Sequence, residues 1–279
     1  MSSTSSAPRP NGTDDDRALF ERRDNVFHPT KWTTGPWRPD AMHGGPPGAL
    51  VGVLIDEAME GDEHVARVNI DLERPVPLEP LTPQVTRRSV SRRVAKLEIQ
   101  LCAADVVVAR AAVLLLRGDP VDVHAEHTML TVPGAAARVQ FGEQAAHDAP
   151  LVYSRDSIEI RKVSGGFGDP LPTIAWVRHT ARVITGEAPS GLVALLSVAD
   201  FGSPFSQTAS PSLGVALINT DVSVSLFRYP VGPWFLLNAT RRISDEGIGL
   251  SVTELSDVHG SLGFLTQSQL VQAHARPVR

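Results

Sequence analysis

Between Ala49 and Met59, the residues Leu50, Val51, Val53, Leu54, Ile55, Ala58 and Met59 leave no broad polar face at helical spacing. A helix that is apolar all round is a buried helix. Pro46 and Pro47 suit its first turn, where a missing N–H costs little. Gly44 and Gly45 are expected to let the backbone turn tightly just before it. A second apolar segment, "APSGLVALLSVADFGSP", predicts a second such helix, headed by Pro189-Ser190 and tailed by Asp200. In a domain of this size, only a sheet curled around each helix can cover so many sides.

The intervening sequence supplies those sheets. "HVARVNIDLERPVP" sets Val65, Arg67, Asn69 and Asp71 against Ala66, Val68, Ile70 and Leu72, the period of a strand. "PLTPQVTRRSVSRRV" and "AKLEIQLCA" continue in strand fashion, with a turn at Ala103-Ala104-Asp105. "VVVARAAVLLLR" predicts a central strand buried on both faces. "FHPTKWTTGPW" predicts a short strand pair turning at Gly35-Pro36. Beyond a connector, "VYSRDSIEIRKVSGGFGDP" predicts a strand and a glycine-rich turn, and "TIAWVRHTARVI" predicts one more strand. After the second helix come strands in "GVALINTDVSVSLFRYP", "GPWFLLNATRRISDEG" and "IGLSVTELSD...GSLGFLTQSQLVQ".

The same order of elements thus occurs twice, and positions match at one offset. Arg74 falls on Arg228, Thr86-Arg87-Arg88 on Thr240-Arg241-Arg242, and Leu101 on Leu255, each 154 residues on. Three matches at one offset indicate an internal duplication. The organisation read from this is a polar tail over 1–16, a first repeat over 17–117, a connector over 118–150 with room for a short helix, and a second repeat over 151–279.

Composition narrows the classes. The formal net charge is -5 over 279 residues, which argues against a general nucleic-acid or anionic-membrane binder. No apolar run reaches the ~18–20 residues needed to span a bilayer. The N-terminus lacks the apolar core of a secretory signal, and the lone Cys102 permits no disulfide within the chain, so a cytoplasmic location is expected. Cys102 sits among core-type residues and reads as packing rather than as a nucleophile. The sequence shows no G-x-S-x-G elbow, no zinc spacing and no dinucleotide fingerprint, so neither metal nor cofactor is expected.

Buried helices wrapped by curled antiparallel sheets, present twice, describe an α+β tandem (double) hot-dog. The chain resembles the acyl-CoA thioesterase II family and its thioesterase-like relatives over about residues 20 to 275. The strings that carry the resemblance are "HGGPPGALVGVLIDEA", "LLSVADFGSPFS", "NTDVSVSLFRYPVGPW" and "GFLTQSQLV". It implies hydrolysis of acyl-CoA to free acid and CoA by an activated water, without a covalent intermediate. It also implies an acyl-CoA substrate and a homodimer or higher homo-oligomer. In that family an Asp, a Thr or Ser, and a Gln of the second repeat hold and activate the water. Carried over by position, these are Asp200, Thr220 and Gln267. "FRYP" stands where His-Arg-Pro is usual, so Asn219 and Ser223 also fit the hydroxyl position. The first repeat has Val113 opposite Gln267 and lacks the glutamine.

Other readings of these residues stay open at the level of sequence. Asp200 can be a turn-capping acid. Gln267 can face outward with Gln269 at period two. Thr220 is a good strand residue in any case. In single hot-dog thioesterases an "HGG" near the helix belongs to the active site, so His43, Gly44 and Gly45 are candidates for substrate binding. Asp56 or Glu57 would be the downstream acid of that arrangement, while the favoured reading of Asp56 is a buried acid balanced by a backbone or arginine partner. Arg87 and Arg88, in the densest basic cluster, are candidates for the CoA phosphates or for a solvated strand face. The alternative function is a non-catalytic acyl-CoA or lipid-binding protein. A hot-dog hydratase is disfavoured because no D-x-N-P-x-H loop occurs.

Overall fold

The predicted greasy segment folds as α1, Gly45–Ala58, and every residue from Gly45 to Ile55 is buried. Its leucine, isoleucine and valine side chains each contribute about 1.5–3 kcal/mol by leaving water. The description comes from a computed structural model and covers residues 17–122, 128–140, 149–166, 172–206 and 215–273. Pro46 and Pro47 occupy the first turn of α1, as expected. Gly44 has ordinary right-handed helical angles (φ -66°, ψ -22°), so the glycines there serve space rather than backbone freedom.

Two strands, β1 (Ala18–Arg23) and β2 (Val26–Pro29), precede α1. The rest of "FHPTKWTTGPW" forms a single 3₁₀ turn over Lys31–Thr33 instead of a second strand. After α1 run β3 (His64–Leu72), β4 (Leu81–Ser91), β5 (Val94–Ala103) and β6 (Val106–Leu116). The turn between β5 and β6 places Ala104 and Asp105 at positive φ. In β3, Val65 is buried although the alternation set it with the polar residues. A bulge between Val65 and Arg67 absorbs the extra residue. β6 is central, between β5 and β3, but Val106, Arg110, Ala112 and Leu116 are exposed. Its outer face mixes Arg110 with the exposed apolar residues Val106, Ala112 and Leu116, and no second layer covers it among the described residues.

The described part of the connector carries a 3₁₀ turn at Ala135–Ala137 and the two-residue β7 (Arg138–Val139). A short helix, α2 (Tyr153–Asp156), then leads into β8 (Ile158–Ser164). The centre of the glycine-rich turn that follows lies outside the described residues. "TIAWVRHTARVI" divides into β9 (Ile174–His179) and β10 (Arg182–Ile184), and β10 pairs in parallel with β1. The second apolar helix, α3 (Gly191–Val198), is capped by the Ser190 hydroxyl, which accepts from the Val193 N–H. A 3₁₀ turn over Ala199–Phe201 and the single-turn α4 (Gly202–Phe205) extend it. Five strands complete the described chain: β11 (Val215–Asn219), β12 (Asp221–Leu226), β13 (Phe235–Ile243), β14 (Ile248–Asp257) and β15 (Gly260–Ala273).

All these strands form one sheet in the order β10-β1-β2-β4-β5-β6-β3-β12-β15-β14-β13-β9-β8-β7, with β11 on β15. The order is mirrored about the β3–β12 seam, where Val68 faces Val224 and Ile70 faces Val222. The duplication is exact to register. Arg87 pairs with Leu97 and Leu97 with Val113; 154 residues on, Arg241 pairs with Ser251 and Ser251 with Gln267. Inside the curled sheet α1 and α3 pack face to face. A Cβ on Gly48 would stand 2.8 Å from the Leu196 carbonyl oxygen, and one on Gly52 3.0 Å from the Val193 Cα.

Candidate active site

The close packing of α1 on α3 brings the head of the first helix to the tail of the second. Asp200, on the 3₁₀ turn after α3, therefore meets residues of both repeats. Its Oδ1 accepts from Asn219 Nδ2 at 2.8 Å and from Gln267 Nε2 at 3.2 Å. Its Oδ2 lies 3.4 Å from His43 Nδ1, and its side chain is 14% exposed. Gly44 leaves room for it, since a Cβ there would stand 2.6 Å from Oδ2. Gly45 is equally constrained: a Cβ would stand 2.5 Å from the Ser197 carbonyl oxygen.

His43 is buried between two rings. Its imidazole stacks on Phe201 with centroids 5.4 Å apart and tilts against Tyr153 at 5.0 Å. Nδ1 accepts the Gly45 N–H at 3.1 Å, which assigns the ring proton to Nε2. Burial pushes its pKa below the ordinary histidine value, outweighing the attraction of Asp200. Tyr153 is held in turn by donating its hydroxyl to the Ser197 carbonyl at 2.6 Å.

Gln267 and Gln269 are both buried and point inward, not outward. Gln269 Nε2 donates to Asn219 Oδ1 at 2.9 Å and to Ser203 Oγ at 2.6 Å. The polarity of this face is specific to the second repeat. At the matched positions of the first repeat stand Leu97, Ile99, Val113 and Leu115; in the second stand Ser251, Thr253, Gln267 and Gln269. The same scaffold carries an apolar core once and a polar wall once.

Thr220 is not part of this cluster. Asn219 pairs with Gln269, whereas Ser223 pairs with Thr266, so the strand gains one residue on its partner between β11 and β12. Thr220 sits at that irregularity, and its hydroxyl donates to the Ser268 carbonyl at 3.1 Å. The extra residue turns Asn219 inward in its place. Ser223, the other alternative, donates to Asp221 Oδ2 at 2.9 Å.

Family models match the chain in both halves. The acyl-CoA thioesterase N-terminal domain matches residues 33–116, and the acyl-CoA thioesterase C-terminal domain matches residues 133–271. The chain belongs to the acyl-CoA thioesterase family. It is a thioester hydrolase with an acyl-CoA substrate. Its fold is that of other double hot-dog proteins. A hot-dog protein of unknown function from Alicyclobacillus acidocaldarius is 17% identical, with TM-score 0.68 over 95% of this chain and 100% of that one. An acyl-CoA thioesterase II from Mycobacterium marinum is 13% identical, with TM-score 0.61 over 91% and 95%. A tesB protein from Mycobacterium avium subspecies paratuberculosis is 16% identical, with TM-score 0.62 over 91% and 96%. The sequence finds no match among curated proteins.

Two further candidates take other places in this thioesterase. Arg87 does not present a free guanidinium to a phosphate: it donates to Glu63 at 2.6 and 3.0 Å and to Glu60 at 3.2 Å. Arg88, its neighbour on β4, faces solvent. Asp56 is half-buried near the end of α1, and its partners are Ser190 and the Tyr229 hydroxyl, the latter at 3.3 Å, not an arginine. Burial raises its pKa above the usual carboxylate value. Cys102 is buried in β5, as its neighbours suggested. No helix of the described residues is long and apolar enough to cross a membrane. Gln269, which the sequence paired with Gln267 at period two as an outward-facing residue, joins the polar face, together with Ser203 and Arg241, to which the sequence assigned no site role.

Proposed function

We propose that Asp200 is the general base that activates water for hydrolysis of the acyl-CoA thioester, with Asn219 and Gln267 holding its carboxylate. The observation that carries this reading is the pair of amide donors converging on Oδ1. They fix the plane of the carboxylate and leave Oδ2 to accept a proton. Water attacks the carbonyl carbon, a C–O bond forms and one proton passes to Asp200. The C–S bond then breaks, and that proton goes to the leaving thiolate. Positioned acid–base catalysis of this kind contributes about 10²–10⁴-fold.

Neutral His43 fits the same step. While Asp200 is ionised, Oδ2 and the lone pair of Nδ1 are both acceptors. The Nδ1 lone pair is taken by the Gly45 N–H, so neutral His43 neither receives the proton from Asp200 nor sets a cation beside it that would weaken the base. The carbonyl oxygen is met at the head of α1. There Pro46 and Pro47 carry no N–H and Gly45 donates to His43, which leaves the Gly44 peptide as the donor beside Asp200.

The test is thiol release from a panel of acyl-CoAs of different chain length by wild type and Asp200→Asn. The substitution keeps shape and loses the base. A fall in kcat of about 10²-fold or more with folding intact supports the assignment. Undiminished turnover in the variant would refute it, and binding of acyl-CoA without any thiol release by wild type would favour the non-catalytic alternative.

A further inference from the structure

Arg241 projects from β13 into the same polar face and is only 8% exposed. Its Nη2 donates to the Ser203 carbonyl at 2.6 Å and to Ser203 Oγ at 3.2 Å. Its Nε and Nη1 have no hydrogen-bond partner among the described residues. Burial lowers its pKa only to about 10, so it remains a cation at neutral pH. Buried arginines are almost always paired with an acid.

The duplicated counterpart shows what is missing. Arg87, 154 residues earlier and in the same register, also donates to a carbonyl at the end of its repeat's helix, that of Ala58 at 3.1 Å. It is then neutralised by Glu63 and Glu60, from the segment linking helix to strand. In the second repeat that segment is "SQTASPSLG", residues 206–214, which contains no Asp or Glu. One arginine has an internal carboxylate. The other has the same placement and, among the described residues, none, beside the Asp200 cluster, to which Ser203, Gln269 and Asn219 connect it by hydrogen bonds.

We propose that Arg241 receives a carboxylate carried by the substrate, so that the preferred acyl group is a short dicarboxylic acid linked to CoA through one end. Gln267, which touches Asp200, and Arg241 stand two strand spacings apart, about 10 Å between backbones. An acyl chain of a few carbons and the arginine side chain cover that span together. The guanidinium can meet such a carboxylate with two parallel N–H donors. The proposal rests on hydrolysis at Asp200.

The test compares adipyl-CoA with hexanoyl-CoA, which differ only at the far end of a six-carbon chain. Wild type should show a kcat/KM at least tenfold higher for adipyl-CoA, and Arg241→Met, checked for folding by circular dichroism, should bring that ratio below one. Free adipate should also raise the melting temperature of wild type more than hexanoate does, a readout that needs neither turnover nor a folded variant. A wild-type preference for hexanoyl-CoA, or a ratio that Arg241→Met leaves unchanged, overturns the proposal. Absence of turnover on both substrates with selective stabilisation by adipate supports the carboxylate site while refuting the Asp200 mechanism. Turnover of hexanoyl-CoA alone keeps the mechanism and removes the site.

Discussion

Asn219 and Thr220 are adjacent, and one inserted residue decides which of them faces Asp200. The amide of Asn219 donates to the carboxylate at 2.8 Å, while the Thr220 hydroxyl is spent on the Ser268 carbonyl. Asn219→Ala removes one of two donors to Oδ1 and also leaves Gln269 Nε2 with one acceptor fewer. It should lower kcat about tenfold or more, since a hydrogen bond to a charged group is worth about 1.5–3 kcal/mol. Thr220→Val should stay within about twofold of wild type on that ground. Steady-state thiol release on the two variants checks both, and the reverse order would restore the family assignment of the hydroxyl. Sequence named Asp200 and Gln267, and the structure joins them. It could not choose between Asn219 and Thr220, because a bulge changes facing without changing composition.

At the scale of elements, the contact between α1 and α3 holds the two halves of the site together. His43 and Gly44 belong to one helix head and Asp200 to the other helix's tail, so their separation depends on how closely the helices approach. The backbones meet at Gly48, where an added side chain would strike the Leu196 carbonyl. Gly48→Val should destabilise the fold by about 1–3 kcal/mol, as overpacking does, measured by urea unfolding. The matched control is Gly118→Ala, which has nothing within 4 Å of its added Cβ and should leave the midpoint unchanged. Both helices were legible from their apolar runs. Their mutual approach was not, because glycines in a buried helix read as weak helix formers until the partner backbone is in place.

For the whole molecule, the continuous sheet across β3 and β12 makes the repeats one unit. Residues 17–117 alone would expose the β3 edge and the glycine stripe of α1, so that fragment is expected to remain unfolded by circular dichroism. Stability should also fall with acid. His179 is half-buried beside Tyr153 with its Nε2 sealed from water, and this burial pushes its pKa down to about 3, against an ordinary value of 6.5. Below pH 6.5 the unfolded chain binds a proton there that the native state refuses. This contribution is therefore complete above pH 6.5 and is lost as pH falls toward 3. The expected slope is up to about 1.4 kcal/mol per pH unit, with His43 acting in the same direction. Urea unfolding between pH 4.5 and 6.5 should show a shallower slope in His179→Phe; an equal slope would refute the assignment.

By itself the sequence determined that there are two apolar helices, that the chain is duplicated at one offset, and that an acid and a glutamine of the second copy are candidates for chemistry. Periodicity and the repeated order suffice for the helices and the duplication, because they depend on which faces must leave water; the acid and the glutamine were implied by the family resemblance. Only the tertiary structure decided which polar groups meet. Leu97 and Val113 in one copy answer to Ser251 and Gln267 in the other, and Arg87 is neutralised where Arg241, among the described residues, is not. Those differences lie in pairings across strands and between repeats, and a partner brought from far along the chain leaves no mark on the local pattern of polar and apolar residues.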